Sequence, residues 1–524
     1  MWNIIKKADD FFAGAVAGFN NCLTPKRILF LLSLFLIFQL IFSLCFNHQL
    51  YRDVGGVYAW YAREAGAGVW WDVPLSKVPV LNIFLGGLLV RCGVEPYSST
   101  IILALLFAGL TIIPLYKMLK LFLPASAAAW GCVLFVFSPK LLRFAGCGLL
   151  ESTRDFFLVT ALYLLLKNWN RSCRLYNWIF FGALLGFLAL ARGEGIVMAG
   201  VVAAGVLFRK AAEWKSPLKV LKTVLLPLCI SGVFALIVMS PVLIQNYKVT
   251  GFPVTDARMI SFFRKIPGAG KCFTPKLEKN ENDPRILPHK KVEPVKNSGS
   301  SKLLERLLDL PGDVVRGAYE PYLALAVLGI ILLIKRKQWR GEYSFLAGYC
   351  LIVQGCFINF PVAHRYFIFF SPMLMVFTLY GVISILSAVE KYHLKNILLA
   401  LFVIICLQQP FYTWAWMMDD SYKDELGLRK FIEQNRQRFL PDGAKRKLIV
   451  HADSRLLFRC GEERLFHYGE KHPDVKYITG FDLLFVFKKE RENLADCKAR
   501  GDLQQIDAPF RRFVIFAPVE RNRK

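Results

Sequence analysis

Charge is scarce in this chain, and acid is scarcer than base. Only 20% of its 524 residues are charged, below the roughly 25% usual in soluble proteins, while 55% are apolar and the mean hydropathy is +0.40. A length that would otherwise suggest about three or four soluble domains is therefore read as one polytopic membrane protein. No C-x-x-C or comparable ligand spacing occurs, so nothing in the pattern of residues calls for a metal. The first apolar run lacks a small-residue cleavage site, so it is read as a retained first span with the amino terminus inside and not as a signal peptide. Neither an internal repeat nor a low-complexity tract is present.

What the chain does have is base: 66 Lys plus Arg against 39 Asp plus Glu, a net charge of +27. Such an excess fits nucleic acid or the cytoplasmic loops of a membrane protein beside anionic lipid, and position decides. Apolar runs occupy 28–46 and about 99–118, 126–143, 150–167, 176–191, 193–208, 221–243, 319–334, 343–360, 365–386 and 395–412, eleven candidate spans. Basic clusters at Lys117 and Lys120, at Lys167, Arg171 and Arg174, at Arg209 to Lys222, at Lys335 to Arg340, and at Lys391 and Lys395 fall on every second connection. With residues 1–27 inside, all of them land in the cytoplasm, as the positive-inside rule requires. The parity holds if Val78 to Val90, too short to cross, lies as a re-entrant or interfacial helix on the outer side. Soluble nucleic-acid binding is set aside, and the location expected is the inner (plasma) membrane.

The expected architecture is thus an α-helical polytopic membrane module over 28–412, with a first outer loop at 47–98 and a long outer loop at 244–318. A small extracytoplasmic α/β domain follows over 413–524. Its helix is expected over Tyr422 to Phe439, and its strands at Leu448 to His451, Phe481 to Phe487 and Phe513 to Phe516. Most of the thirteen Cys sit in apolar runs as small hydrophobes. Cys272, Cys460 and Cys497 lie in polar stretches, and a Cys460–Cys497 bridge is left open.

Charged groups near spans carry the most information, since each costs roughly 2.5 to 3.5 kcal/mol at a helix centre. On the outer side these are Arg52, Asp53, Glu64, Asp72, Lys77, Arg143, Glu151, Arg154, Asp155, Arg192, Glu194 and Arg365. Each also has a plainer role. Arg192 and Glu194, in Arg192-Gly193-Glu194-Gly195, can pair with each other across a tight hairpin or reach to water. Glu151 can favour a helix amino terminus, Asp53 can be a solvated loop residue, and Lys77 can snorkel at the interface or bind a lipid phosphate as a point charge.

The order of these features resembles the GT-C glycosyltransferases, and within them the protein O-mannosyltransferase and lipid A aminoarabinose transferase group. The resemblance rests on Asp53 just after the first span with Tyr58 and small residues following, and on Lys77-Val78-Pro79 before a short apolar helix. Glu151 opening a span, Ala191-Arg192-Gly193-Glu194-Gly195, Gln245-Asn246-Tyr247 leading to Thr250-Gly251-Phe252-Pro253, and His364-Arg365-Tyr366 complete it. It covers about residues 25 to 412.

The resemblance implies a membrane enzyme that takes a sugar from a polyprenyl-phosphate carrier on the outer face to an acceptor hydroxyl or phosphate, with inversion. The acceptor is a glycolipid, a glycan or a protein, as in lipid A modification or protein glycosylation of the cell envelope. Asp53 is then the general base. Lys77, Arg365 and Arg192 bind the donor phosphate, and Glu151, Glu194 and Tyr58 support them without a cofactor. Asp53-Val54 where an acidic pair is frequent, and Val78 where proline is frequent, leave the acceptor class open. The alternative is a secondary transporter or lipid-linked oligosaccharide flippase, which would hold charges near the bilayer midplane and show repeated halves.

Overall fold

The computed structural model of the protein describes residues 24–47, 49, 54–68, 80–169, 174–209, 220–250, 253–255, 312, 320–357, 370–390, 394–419, 427–435, 450–452, 466–467, 483–488, 491–510 and 512–519. Its first part is helical: α1 (Pro25–Phe46), α2 (Ala59–Gly66), α3 (Val80–Arg91), α4 (Pro96–Leu119), α5 (Ala125–Val136), α6 (Pro139–Gly146) and α7 (Glu151–Lys167). There follow α8 (Leu175–Ala191), α9 (Gly195–Arg209), α10 (Leu226–Thr250), α11 (Glu320–Lys335), α12 (Gly341–Phe357), α13 (Phe370–Val389) and α14 (Lys395–Met417). Every one of the eleven apolar runs contains a helix, and α3 is separate from them, as its short length suggested.

Among the described residues α1, α4, α13, α14 and the stretch Thr223–Lys248 around α10 are each long and apolar enough to cross a membrane. A sixth span results if α5 and α6, bent by 52° at their break, are counted as one. That break departs from the single run expected over 126–143. Ser138 and Pro139 cause it: proline is well placed at the first position of a new helix but cannot continue the old one. A second departure is at 244, where the outer loop was expected to begin but α10 runs on to Thr250. Polar side chains such as Gln245 and Asn246 do not end a helix at a membrane surface, where they meet water or protein.

Polar groups inside the first span are paired, as lipid demands. Gln39 Nε2 donates to Ser43 Oγ at 3.1 Å, and Trp414 Nε1 of α14 donates to Gln39 Oε1 at 2.7 Å. Helices α1 and α14 are joined by that clasp. Elsewhere helices meet backbone to backbone. Gly182 and Gly186 of α8 face Ser231 and Ala235 of α10, so closely that a Cβ on Gly186 would lie 2.8 Å from the Ala235 carbonyl oxygen. This small-xxx-small approach supplies the packing that lipid does not drive.

The carboxyl-terminal part has α15 (Leu428–Gln434), β1 (Val450–Ala452), β2 (Phe466–His467), β3 (Leu483–Phe487), α16 (Arg491–Ala499), β4 (Leu503–Ile506) and β5 (Phe513–Pro518). The strands form one sheet in the order β2-β1-β3-β5-β4, parallel on the β2-β1-β3 side and antiparallel on the other. Continuous apolar runs such as Leu483–Phe487 bury both faces. Phe485, Phe513 and Ile515 pack on one side with Leu428 and Ile432 of α15. Leu484, Val486, Val514 and Phe516 pack on the other with Cys497 of α16. Three strands and the first helix lie where the sequence predicted them, while β2, β4 and α16 were not anticipated. Cys497 is a buried free thiol, and Cys460 lies outside the described residues.

Candidate active site at the start of the seventh helix

The turn between α6 and α7 sets the site. Gly148 takes φ +78°, and a side chain there would collide with Thr100. The chain then enters α7 with Glu151, Arg154 and Asp155 in its first turns. Their i, i+3, i+4 spacing puts all of them on one helix face, and each is at most 2% exposed.

Facing them is the hairpin between α8 and α9. Arg192 Nη1 donates to Glu151 Oε1 at 2.7 Å, and Arg192 Nε lies 2.6 Å from Glu194 Oε1. Arg154 links the two elements a second time: its Nη1 reaches Glu194 Oε1 at 3.2 Å, while Nε and Nη2 both donate to Asp155 Oδ1, at 3.0 and 2.9 Å. Two guanidiniums and three carboxylates therefore form one connected network inside the bundle. Both plain roles weighed from sequence are present in it, since Arg192 does pair with Glu194 and Glu151 does open a helix. Neither group reaches to water, however, with side-chain exposures of only 3% for Arg192 and 8% for Glu194. Charges buried this deeply persist only when paired and hydrogen-bonded.

The short helix α3 is tied to the same hairpin. Asn82 Nδ2 donates to the carbonyl of Ala191 at 3.1 Å, which fixes the first turn of α3, five residues beyond Lys77, beside Arg192. On its other side α3 packs against α2, with Gly87 against Ala65. The chain before α2 is pinned as well. Asn47 Nδ2 donates to Tyr97 Oη at 3.1 Å and to the Gly146 carbonyl at 3.0 Å, and Tyr97 Oη donates to the Gln49 carbonyl at 2.6 Å. Val54 and Tyr58 are buried. Asp53, Lys77 and Arg365 themselves lie outside the described residues.

Buried polar atoms in this part of the bundle with no hydrogen-bond partner among the described residues include Asn82 Oδ1, Thr153 Oγ1, Asp155 Oδ2 and Tyr349 Oη. An unmet buried group costs about 1–3 kcal/mol, and native proteins keep such groups mostly where water, an ion or a ligand meets them. Arg154, Asp155 and Asn82 were not nominated from the sequence as site residues. The spacing of Arg154 and Asp155 from Glu151 was the available signal, whereas Asn82, a polar residue in a short apolar helix, gave none. Asn246, in the quoted Gln245-Asn246-Tyr247 motif, donates from Nδ2 to the Val254 carbonyl at 2.6 Å. Among the described residues no group of three or more His, Cys, Asp or Glu is placed to hold a metal ion.

The helical bundle, with a short apolar helix after its first long one and a buried charge network at the start of α7, has a fold also found among solved structures. No family model matches the sequence, and no curated protein matches it. Among solved structures, ArnT from Cupriavidus metallidurans bound to undecaprenyl phosphate is similar with a TM-score of 0.59 at 14% identity, over 94% of this chain and 98% of that one. ArnT in the apo state is similar with a TM-score of 0.57 at 14% identity, over 93% and 97%. An archaeal oligosaccharyltransferase, AglB from Archaeoglobus fulgidus in complex with an inhibitory peptide and a dolichol-phosphate, aligns over 82% of this chain and 64% of that one, with a TM-score of 0.45 at 14% identity.

Proposed function

We propose that this protein is an inverting glycosyltransferase that moves a sugar from a polyprenyl-phosphate carrier to an acceptor at the outer face of the plasma membrane. The observation that carries the reading is the likeness of fold, over nearly the whole chain, to ArnT solved with undecaprenyl phosphate bound. A lipid carrier also accounts for a site built where an outer loop meets the helix bundle.

In the reaction the acceptor oxygen attacks the anomeric carbon from the side opposite the carrier. Asp53 takes the acceptor's proton as general base. The bond from the anomeric carbon to the phosphate oxygen breaks, and the polyprenyl phosphate leaves with the electron pair. Lys77 and Arg365 stabilise the charge that grows on that phosphate. Arg192 belongs to the same set, but its guanidinium is already shared between Glu151 and Glu194. Two cations against three carboxylates leave the network no surplus positive charge, so Lys77 and Arg365 carry the phosphate and Arg192 adds the field of a cation fixed in place. Glu151 and Glu194 hold Arg192, and Tyr58 is buried five residues beyond Asp53.

Eleven spans with the amino terminus in the cytoplasm would place the sheet of the carboxyl-terminal domain outside, beside the first outer loop. There it would bind the acceptor or shield the site, since the sequence of residues 420 to 524 carries no acid or base cluster that resembles a complete active site. The test is a purified enzyme in detergent given polyprenyl-phosphate donor carrying a radiolabelled sugar. Label appearing covalently on an added glycolipid, glycan or protein acceptor supports the reading. No transfer in detergent, with label crossing the membrane once the protein is reconstituted in sealed vesicles, would identify a flippase or transporter instead.

A further inference from the structure

At the far end of α7 from the charge network the bundle has a second polar concavity, of about 560 Å³. Helix α7 is 17 residues long, so the two sites lie on the order of 25 Å apart at 1.5 Å per residue. Four cations line the cavity, Lys117 and Lys120 from the end of α4, Lys167 from the end of α7 and Arg340 from the approach to α12, against one acid, Glu342. All four cations are exposed.

Topology alone accounts for cations on this side of a membrane protein, and lysines at helix carboxyl termini also offset the helix dipole. Neither reason requires three connections, far apart in sequence, to converge on one cavity. Like charges gathered around a concave space repel each other and focus a positive potential into it. The walls suit a molecule at the membrane surface: Tyr163 and Trp169 supply aromatic faces, and Leu121 is an exposed apolar residue at the rim. Trp169 is held by Phe345 of α12, with ring centroids 5.4 Å apart. A volume of this size holds a small polar headgroup.

We propose that this cavity binds a phosphate group, carried by an anionic phospholipid of the leaflet it faces or free in solution. The lysines act as point charges and Arg340 as a planar fork suited to two phosphate oxygens. The site is separate from the proposed transfer site and does not depend on it. By the charge alternation along the chain, the leaflet it faces is the cytoplasmic one.

The test uses the full-length protein in nanodiscs, comparing phosphatidylglycerol with phosphatidylcholine as the lipid, and inorganic phosphate with sulfate as competitors. Retained lipid is counted by native mass spectrometry. Two variants remove the same charge from the same side of the bundle: Lys167→Gln with Arg340→Gln inside the cavity, and Lys335→Gln with Lys337→Gln outside it. The expected result is retention of phosphatidylglycerol over phosphatidylcholine, weakened about tenfold or more by the first pair and little changed by the second. Displacement by inorganic phosphate at millimolar concentration would show that free phosphate is also taken, whereas retention despite it would assign the lipid headgroup. If the first pair does not fold, Lys117→Gln with Lys120→Gln serves in its place. Equal losses from the inner and outer pairs would reduce the effect to general surface charge and overturn the proposal. So would a wild-type protein that retains neither phosphatidylglycerol nor phosphate.

Discussion

Arg192 Nη1 and Glu151 Oε1 lie 2.7 Å apart, although 41 positions separate them in the chain. That contact fixes the α8–α9 hairpin to the amino terminus of α7, and both side chains are 3% exposed. Arg192→Met leaves the Glu151 carboxylate buried beside Glu194 with its closest cation gone. A loss of about 3–5 kcal/mol is expected from breaking a pair of this kind. Thermal unfolding of the detergent-solubilised protein measures it, and Glu151→Leu combined with Arg192→Met should recover part of the loss. Additive losses from the two single changes would mean that the contact does not couple the elements.

Asp53→Asn keeps the size of the side chain but cannot accept a proton. Sugar transfer should fall by roughly 100-fold or more with abundance nearly unchanged, while Lys77→Ala should weaken donor binding and turnover together. Glu64→Gln is the control, because among the described residues Glu64 pairs at 3.7 Å with Arg63, and both side chains are partly exposed. A monodisperse Asp53→Asn enzyme with near wild-type turnover would remove Asp53 from the mechanism.

Reporter fusions test the orientation. Fusions after Lys210 and Lys335 should report cytoplasm, and fusions after Lys296 and at Lys524 the outer side. A cytoplasmic signal at Lys524 would break the scheme of eleven spans and separate the carboxyl-terminal sheet from the proposed transfer site.

Much of the helical layout was legible because apolar length follows directly from the cost of charge in lipid. The kink at Ser138-Pro139 was missed because the run was judged by its total apolar length, although Pro139 and the charges of Lys140 and Arg143 just after it mark the break. The network was half legible: Arg192, Glu194 and Glu151 stood out singly, but that Arg154 would bridge Asp155 to Glu194 depends on how the α8–α9 hairpin docks, which no local pattern encodes. In the carboxyl-terminal sheet, β3 and β5 announced themselves as apolar runs. Strand β4, with the polar Gln504 and Gln505 at its centre, forms through its pairing with β5 and has no such signature.

Cys497 gives a pH-dependent readout of that sheet. Burial against the sheet pushes its thiol up to about 11, so the folded protein holds it protonated. Alkylation needs the thiolate. At pH 8 a maleimide should label Cys497 far more slowly than an exposed cysteine, and unfolding in urea should abolish the difference, as peptide mapping would show. The sign for stability follows. The unfolded thiol ionises near its ordinary value of about 8.5, so the contribution is fully present below that pH and is lost as pH rises toward 11.

The clasp between Gln39 and Trp414 bears on how the protein is made. Gln39 enters the membrane with α1, while its indole partner belongs to α14, 375 positions later in the chain. During translation the amide oxygen of Gln39 must remain without that donor until α14 emerges and inserts. A chain halted before Trp414 would therefore carry an unmet polar group on a lipid-facing helix, a mark by which membrane quality control can distinguish an unfinished bundle from a closed one.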